Sequence, residues 1–369
     1  MFLLAPLVAE YLLGNIPPSE LLGVLFLAPM YGGGALLIRE AARRTGRGWP
    51  TVLLLAAAYG VLEAGLLDQS LFNPSFEGYD FQSVAHLPAL GVSAHYALVF
   101  VAGHVIWSIG VPIAVVEALV PRRSTTPWLG GFGLAVTGIV FVLGSAMLFY
   151  GLYEQERFLA STPQRIGTAA VITVLIGIAF ALGRRPRPAT DRRAPNPRLV
   201  GAVGFVASGL FFVRPESWWG VAMGIGLIAA MTVVVTRWSR HRGWGATHRL
   251  ALAGGALLTY AWGGFVLLFL EGSASPANLI SQTVLVLGAI VLLLPLPHRA
   301  QDDRTSPCPP LTSRPPSTPR PAPRTRNELP QPISDGDESG RRKGRGTEAH
   351  LPGPLSGYLQ DPLQGSPVG

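Results

Sequence analysis

Five ionisable side chains lie inside or beside apolar stretches of this sequence, between residues 59 and 117. They are Glu63, Asp68, His95, His104 and Glu117. An ionisable group within a membrane span is costly unless it is paired or hydrated, so each is a functional hypothesis by default. We treat the five as a candidate intramembrane polar site. Proton or ion coupling, metal binding and structural hydrogen bonding are all open to it, and no catalytic role is assigned to any of the five.

The spacing of these residues predicts which of them meet. Glu63 lies about one turn before the end of its apolar run, Asp68 follows that run, and His95 begins the next run at a similar depth. We therefore expect Glu63, Asp68 and His95 to meet, with Glu63 and His95 coupled. His95 and His104 lie about 180° apart around a helix and should not share a ligand.

The sequence supports no cofactor. Two carboxylates and an imidazole would suit zinc or a proton relay, but zinc would lack a closed ligand set unless water or Glu271 joined. The single cysteine, Cys308, excludes a disulfide framework and thiolate metal sites. Walker A, G-x-S-x-G and H-E-x-x-H motifs do not occur, so ATP hydrolysis and the common serine and zinc hydrolases have no support. We predict no metal and no cofactor.

One short motif resembles a known family. Phe100 and His104 form an F-x-x-x-H pattern that resembles the second motif of the CPBP (Abi-type) intramembrane proteases, multi-span proteins with a glutamate–histidine site. The first motif of that family is E-E-x-x-x-R. Its nearest counterpart here, Glu63 to Asp68, lacks one glutamate and the arginine, and no H-x-x-x-N or H-x-x-x-D follows at a later span. The resemblance implies a membrane-embedded metal-dependent enzyme, which we keep as a second alternative only.

The elements that must position these residues are apolar helices. Hydrophobic residues make up 49% of the 369 residues and charged residues only 14%, which is typical of a membrane protein. Apolar runs long enough to cross a bilayer lie at 19–38, 50–67, 92–119, 129–150, 166–183, 199–213, 218–236, 250–270 and 277–296. A tenth run, 2–14, is short and contains Glu10. We predict an all-α polytopic transmembrane helix bundle of nine or ten spans.

The composition changes near residue 297. Residues 298–369 hold 14 of the 33 prolines and too little apolar surface to fold. The sequence thus predicts a multi-span membrane domain at 1–297 and a Pro/Arg-rich disordered tail at 298–369. Two readings of the tail stay open: it binds a cytoplasmic partner that recognises Pro-rich segments, or it is a solvated tail, which explains the composition as well.

Arginines predict the orientation. Sixteen lie in alternate loops of the membrane domain and only three, Arg157, Arg165 and Arg214, in the intervening loops. By the positive-inside rule the arginine-rich loops and the tail are cytoplasmic, in the plasma membrane. Contact with lipid headgroups explains the net charge of +8, and no basic face carries interleaved aromatic residues, so we expect no nucleic-acid partner.

These observations define a class of protein and leave its activity open. We predict a polytopic integral membrane protein in contact with the lipid bilayer, of undefined molecular function, and the sequence favours a non-enzymatic role. The main alternative is a small-solute or proton/ion-coupled transporter that uses the candidate polar site.

Overall fold

The structure, a computed structural model, describes residues 1–182 and 190–294. Its α-helices in chain order are α1 (Leu4–Pro6), α2 (Val24–Arg44), α3 (Trp49–Leu62), α4 (Ala94–Gly103), α5 (Val111–Leu119), α6 (Gly131–Glu156), α7 (Thr162–Ala181), α8 (Pro197–Phe212), α9 (Trp218–Trp238), α10 (Ala246–Leu270) and α11 (Pro276–Leu293). The tail predicted from residue 298 lies outside the described residues.

Three π-helical segments, in which the turns are wider than in an α-helix, extend these helices. They are Leu7–Tyr11 after α1, Glu63–Leu67 after α3, and His104–Gly110 between α4 and α5. Short 3₁₀ turns occur at Pro18–Gly23, Phe76–Gly78 and Pro121–Arg123. Strands β1 (His86–Leu87) and β2 (Val92–Ser93) pair antiparallel, and β3 (Thr190–Arg193) pairs parallel with β4 (His241–Arg242).

The predicted all-α membrane bundle is confirmed. Among the described residues, eight helical stretches are long and apolar enough to cross a membrane, and α8, with 16 residues, is a shorter apolar helix. These nine helices correspond to the nine apolar runs of the sequence. The tenth run forms only the short helix α1 and its π-helical extension.

The bundle has inner and outer helices. The apolar windows of the stretches Ser19–Arg44, Trp49–Leu67, Ala94–Leu119 and Ala246–Leu270 are 50–61% buried, whereas those of α6, α7, α9 and α11 are 11–17% buried. Side chains such as Phe132 and Ile166 on the outer helices are exposed, as expected for surfaces that contact lipid. Residues of α2, α3, α5, α10 and the π-helical segment His104–Gly110 therefore supply most of the interior.

Small residues allow the inner helices to pack closely. A Cβ on Gly255 of α10 would lie 2.4 Å from the carbonyl oxygen of Gly201 and 2.5 Å from the amide nitrogen of Phe205, both on α8. A Cβ on Gly60 of α3 would lie 2.9 Å from the Cβ of His104. Backbones thus meet where a side chain would not fit, which is how helices associate tightly in lipid.

The two ends of the bundle differ in charge. At the end that we call the arginine end, Arg39 donates hydrogen bonds to carbonyls of residues 123–126, Arg47 donates to the carbonyl of Phe180, and β3 pairs with β4. At the opposite end, Gln69 accepts a hydrogen bond from the amide of Ala160 at 2.7 Å. The loops rich in arginine therefore gather at one end.

Candidate functional site

A continuous chain of polar side chains crosses the interior between the inner helices. The Tyr31 hydroxyl of α2 lies 2.6 Å from Glu10 Oε1 and 3.0 Å from Glu63 Oε1. The other carboxyl oxygen of Glu63, Oε2, lies 2.7 Å from His104 Nε2. Tyr31 and Glu63 are each only 4% exposed. We call these four residues, Glu10, Tyr31, Glu63 and His104, the central polar chain.

The hydrogen bonds of this chain require shared protons. His104 Nδ1 lies 2.6 Å from the carbonyl oxygen of Phe100, which can only accept, so Nδ1 carries a proton. The Tyr31 hydroxyl has one proton and short contacts to two carboxyl groups. A hydroxyl that donates to one carboxyl group is best satisfied when the other donates to it, which requires that group to be a carboxylic acid. A proton can then pass between Glu10 and Glu63 through the Tyr31 hydroxyl by exchange of donors and acceptors, whereas Glu63 Oε2 and His104 Nε2 lie at ion-pair distance without hydrogen-bond geometry.

One end of the chain approaches the surface. The second oxygen of Glu10, Oε2, accepts a hydrogen bond of 3.2 Å from the side-chain amide of Asn15, which is exposed. Asn15 lies in the turn between the first π-helical segment and the 3₁₀ turn Pro18–Gly23. The polar path therefore runs from an exposed amide at residue 15 to the buried imidazole of His104.

All three ionisable members of the chain lie on π-helical segments. Glu10 lies in Leu7–Tyr11, Glu63 begins Glu63–Leu67, and His104 begins His104–Gly110. π-Helical turns are rare and occur mainly at functional sites, because one extra residue widens the turn and redirects its side chains. Each of the three groups therefore lies where the helix is wider than an α-helix.

Aromatic rings surround the Glu63–His104 contact. The Tyr31 ring stacks on the His104 imidazole with centroids 6.0 Å apart, and the Tyr59 ring lies 5.9 Å from that imidazole. The Tyr59 hydroxyl is buried and has no hydrogen-bond partner among the described residues. The Tyr59 ring also borders an apolar groove of about 160 Å³, whose walls include Leu62 and Phe141.

The expected pairing of Glu63 with His95 is not formed, because His104 takes that place. The prediction assumed that residues equally far from their helix ends lie at equal depth. In the structure α3 crosses α4 at Gly60, level with Val101 and His104. Helical side chains lean towards the N-terminus of their own helix, so Glu63 reaches back to that level and meets His104.

His95 lies away from Glu63, at the end of the bundle opposite the arginine end. Its ring packs edge-on against Tyr96 at 5.1 Å. His95 is buried, and its Nδ1 atom has no hydrogen-bond partner in the described part of the chain. His95 thus belongs to a different polar cluster from Glu63.

Asp68 caps the turn that follows the Glu63–Leu67 segment. Its Oδ1 atom accepts hydrogen bonds from the Ser70 amide at 2.9 Å and the Ser70 hydroxyl at 3.0 Å. Burial is the main cause that raises the pKa of Asp68, and the Glu63 carboxyl is the second. Asp68 therefore shapes the local turn, and its carboxyl group is influenced by that of Glu63.

Glu117 belongs to a buried ion-pair network at the arginine end. Its two carboxyl oxygens each lie 2.8 Å from a nitrogen of Arg43, and Oε1 lies 3.2 Å from Arg39 Nε. Arg39 also pairs with Glu40 at 2.8 Å and lies over the Trp128 ring. Glu40 accepts hydrogen bonds from the backbone amides of Trp128 and Leu129. This network ties the 120–129 loop to α2.

Two members of the central polar chain were missed from the sequence. Glu10 was noted only as a charge in a short apolar run, although a lone carboxylate in such a run needs a partner. Tyr31 gives no charge signal, but it lies beside three consecutive glycines in the middle of an apolar run. A tyrosine hydroxyl in that position also requires a hydrogen-bond partner when it is buried.

The donor groups of the described residues do not form a cluster suited to a metal. Within residues 1–182 and 190–294, no group of three or more His, Cys, Asp and Glu side chains is arranged to hold an ion. In the central polar chain, Glu63 and His104 contact each other directly.

Comparison with known proteins assigns the chain to a broad class. A family model described as an uncharacterized membrane protein family matches residues 1–301. No curated protein and no solved structure matches the chain. The matched range covers every described helix, and thus the whole central polar chain.

Proposed function

We propose that this chain, which belongs to the uncharacterized membrane protein family that its sequence matches, is a proton-coupled transporter of a small solute, with the central polar chain as its proton relay. The main observation in support of this proposal is the unbroken series of contacts of 2.6 to 3.0 Å from Glu10 through Tyr31 and Glu63 to His104. A histidine in such a series exchanges protons near neutral pH more readily than any other side chain.

The position of the chain supports coupling to a conformational change. Its four members come from the first π-helical segment, α2, and the π-helical extensions of α3 and α4. A proton that enters or leaves changes which groups attract each other, and so biases how these elements pack. Transporters commonly carry their ionisable groups on interrupted helices that line the interior, as π-helical segments do here.

Infrared spectroscopy of the full-length protein in liposomes tests the relay. The wild type should show the C=O stretch of a protonated, hydrogen-bonded carboxyl group, and that band should titrate with pH. Glu10→Gln and Glu63→Gln should each remove or shift it. Tyr31→Phe should also shift the band, because the hydroxyl joins the two carboxyl groups.

Tyr59→Phe is the matched control. It removes one buried hydroxyl from a neighbouring ring, but that hydroxyl has no partner among the described residues, so the band should not change. Glu271→Gln, at an exposed carboxyl group, controls for the loss of charge. A spectrum without any buried carboxylic acid band, or a band unaffected by Tyr31→Phe and by both glutamate variants, would refute the relay.

Transport is tested separately in the same liposomes. A candidate solute added outside should acidify or alkalinise the lumen, as reported by an enclosed pH-sensitive dye, and Glu63→Gln should abolish this response. If solute moves without any change of luminal pH, coupling is excluded. If the infrared band is present but no tested solute moves protons, the relay serves a different activity.

We also propose that the protein lies in the plasma membrane with its arginine end and its tail in the cytoplasm. The division of sixteen arginines against three between alternate loops supports this orientation. The contacts of Arg39 and Arg47 with other loops gather these charges on one side.

A further inference from the structure

Within residues 1–182 and 190–294, Arg214 is a buried arginine without an acidic partner. It lies in the turn between α8 and α9 and is 7% exposed. Among the described residues, no carboxylate lies within ion-pair distance of its guanidinium, and its Nε and Nη2 atoms have no hydrogen-bond partner. The Glu216 side chain, two residues later, is exposed. A buried guanidinium without a counter-charge among the described residues is costly, so an anionic ligand would stabilise it.

The position of Arg214 is fixed on its other side. Its Nη1 atom donates to the carbonyl of Phe211 at the end of α8, and its guanidinium carbon lies 3.9 Å from the centroid of the Phe211 ring. A Cβ on Gly224 of α9 would lie 3.2 Å from Arg214 Nε, so α9 packs closely beside this side of the arginine. Nη1 is thus held, whereas Nε and Nη2 have no hydrogen-bond partner among the described residues.

A second group with a free nitrogen lies nearby. His95 at the start of α4 is 4% exposed, and its Nδ1 atom has no partner in the described part of the chain. Leu98, three residues later on α4, lies beside Gly224 of α9 together with Arg214 Nε, so the start of α4 is close to Arg214. Burial lowers the pKa of Arg214 to about 10, so the guanidinium stays charged at neutral pH. A cation with two free N–H groups and a neighbouring imidazole form a set of donors that suits an anion.

The chemistry of the Nε–Nη2 edge of Arg214 limits the class of ligand that can bind there. The planar Nε–Nη edge of arginine presents two parallel N–H groups that match two oxygens of a phosphate or a carboxylate. The neighbouring Trp218 and Trp219 are 54% and 72% exposed, as is typical of the interface where lipid phosphates lie. Lipid phosphate groups lie at this depth of the membrane, so a phosphate group is the oxyanion that we expect at this arginine.

We propose that Arg214 and His95 form a binding site for a phosphate group, supplied by a lipid headgroup or by a free phosphate. The site is separate from the central polar chain and does not depend on the proposed transport activity. The turn that carries Arg214 includes the exposed residues Val213 and Glu216, so a small movement of this turn opens the guanidinium edge to a ligand.

Thermal unfolding of the full-length protein in a phosphate-free detergent tests the site. Sodium phosphate should raise the Tm of the wild type by several degrees relative to sodium chloride of equal ionic strength, because a ligand that binds only the folded state stabilises it. Arg214→Gln should abolish this shift and His95→Gln should reduce it. In chloride alone Arg214→Gln should not lower the Tm, because it removes an uncompensated buried charge.

Controls and a second arm complete the test. Arg237→Gln removes an exposed arginine at the end of α9 and should keep the full shift. Arg214→Lys keeps the charge without the two-pronged edge and should weaken phosphate binding at least about tenfold. If a lipid headgroup is the source, the Tm of the protein in phosphatidylglycerol nanodiscs without free phosphate should depend on Arg214 as strongly as the Tm in sodium phosphate does. If the Tm depends on Arg214 with only inorganic phosphate or only phosphatidylglycerol, that compound is identified as the source of the phosphate group.

Three results would overturn the proposal. One is a phosphate shift that persists in Arg214→Gln, and another is the absence of a shift with both inorganic phosphate and phosphatidylglycerol. The third is an equal loss of Tm in Arg214→Gln with and without phosphate, which would show that Arg214 only caps α8 through the Phe211 carbonyl.

Discussion

Tyr31 and Tyr59 lie ring to ring, with centroids 6.2 Å apart, yet their hydroxyl groups have opposite surroundings. The Tyr31 hydroxyl contacts two carboxyl groups, whereas the buried Tyr59 hydroxyl has no partner in the described part of the chain. A buried polar group without a partner is unfavourable, whereas one that bridges two others stabilises the fold. The same substitution should therefore have different effects on stability at the two positions.

We expect Tyr31→Phe to lower the free energy of unfolding by about 1–3 kcal/mol, because both Glu10 and Glu63 lose a hydrogen-bond partner. Tyr59→Phe should change it by less than about 0.5 kcal/mol or increase it, since no hydrogen bond is lost. Denaturation of the purified protein in mixed micelles measures both. Equal losses in the two variants would contradict the hydrogen bonding described here.

A double-mutant cycle tests which histidine pairs with Glu63. Glu63→Gln and His104→Gln should be coupled by about 0.5–3 kcal/mol, because their side chains lie 2.7 Å apart. Glu63→Gln and His95→Gln should be additive within about 0.5 kcal/mol, as for separate sites. Coupling of Glu63 to His95 but not to His104 would restore the pairing expected from the sequence.

At the scale of elements, the helices could be predicted but their contacts could not. Apolar runs indicate where each helix lies, since a span needs about 20 apolar residues. The depth at which α3 meets α4 depends on the close contact at Gly60, and the wide turns at Glu63 and His104 depend on the packed bundle. Nothing in the local sequence marks these turns, so Glu63 was assigned to the wrong histidine.

Close backbone contact between α8 and α10 gives a prediction at this scale. Gly255→Ala should destabilise the protein by about 1–3 kcal/mol, because its Cβ would meet backbone atoms that cannot move aside as a side chain can. Gly209→Ala on α8 should be neutral or stabilise the fold by up to about 1 kcal/mol, since nothing lies within 4 Å of its Cβ position. Thermal unfolding of both variants measures these changes in stability. A loss at Gly209 that matches the loss at Gly255 would refute the close contact as its cause.

At the scale of the whole molecule, charge is divided between the two ends of the bundle. This division could be read from the sequence, because the arginine count of each loop needs no knowledge of packing. The buried network of Arg39, Arg43 and Glu117 could not, because the two arginines lie on α2 and Glu117 on α5, and the arginines were counted with the charges of a loop. Only tertiary contacts show that these arginines face inwards.

Labelling of single cysteines tests the orientation of the molecule. In a Cys308→Ser background, Glu77→Cys at the opposite end should react with an impermeant thiol reagent on intact cells, whereas Arg192→Cys at the arginine end should not. Both positions are exposed, so access from solvent does not distinguish them. After the cells are permeabilised, both should react. Reaction at Arg192 alone on intact cells would show the reverse orientation.

The tie between α2 and the 120–129 loop has a consequence for biosynthesis. Arg39 finds its carbonyl partners 84 to 87 residues later in the chain. At about 5–20 residues per second, the ribosome needs roughly 4–17 s to add that length. During this delay the guanidinium has emerged without most of its final partners, and water or lipid phosphates at the membrane surface must solvate it. We therefore expect α2 and α3 to insert with this arginine still outside, and the arginine to be enclosed only when the loop after α5 arrives.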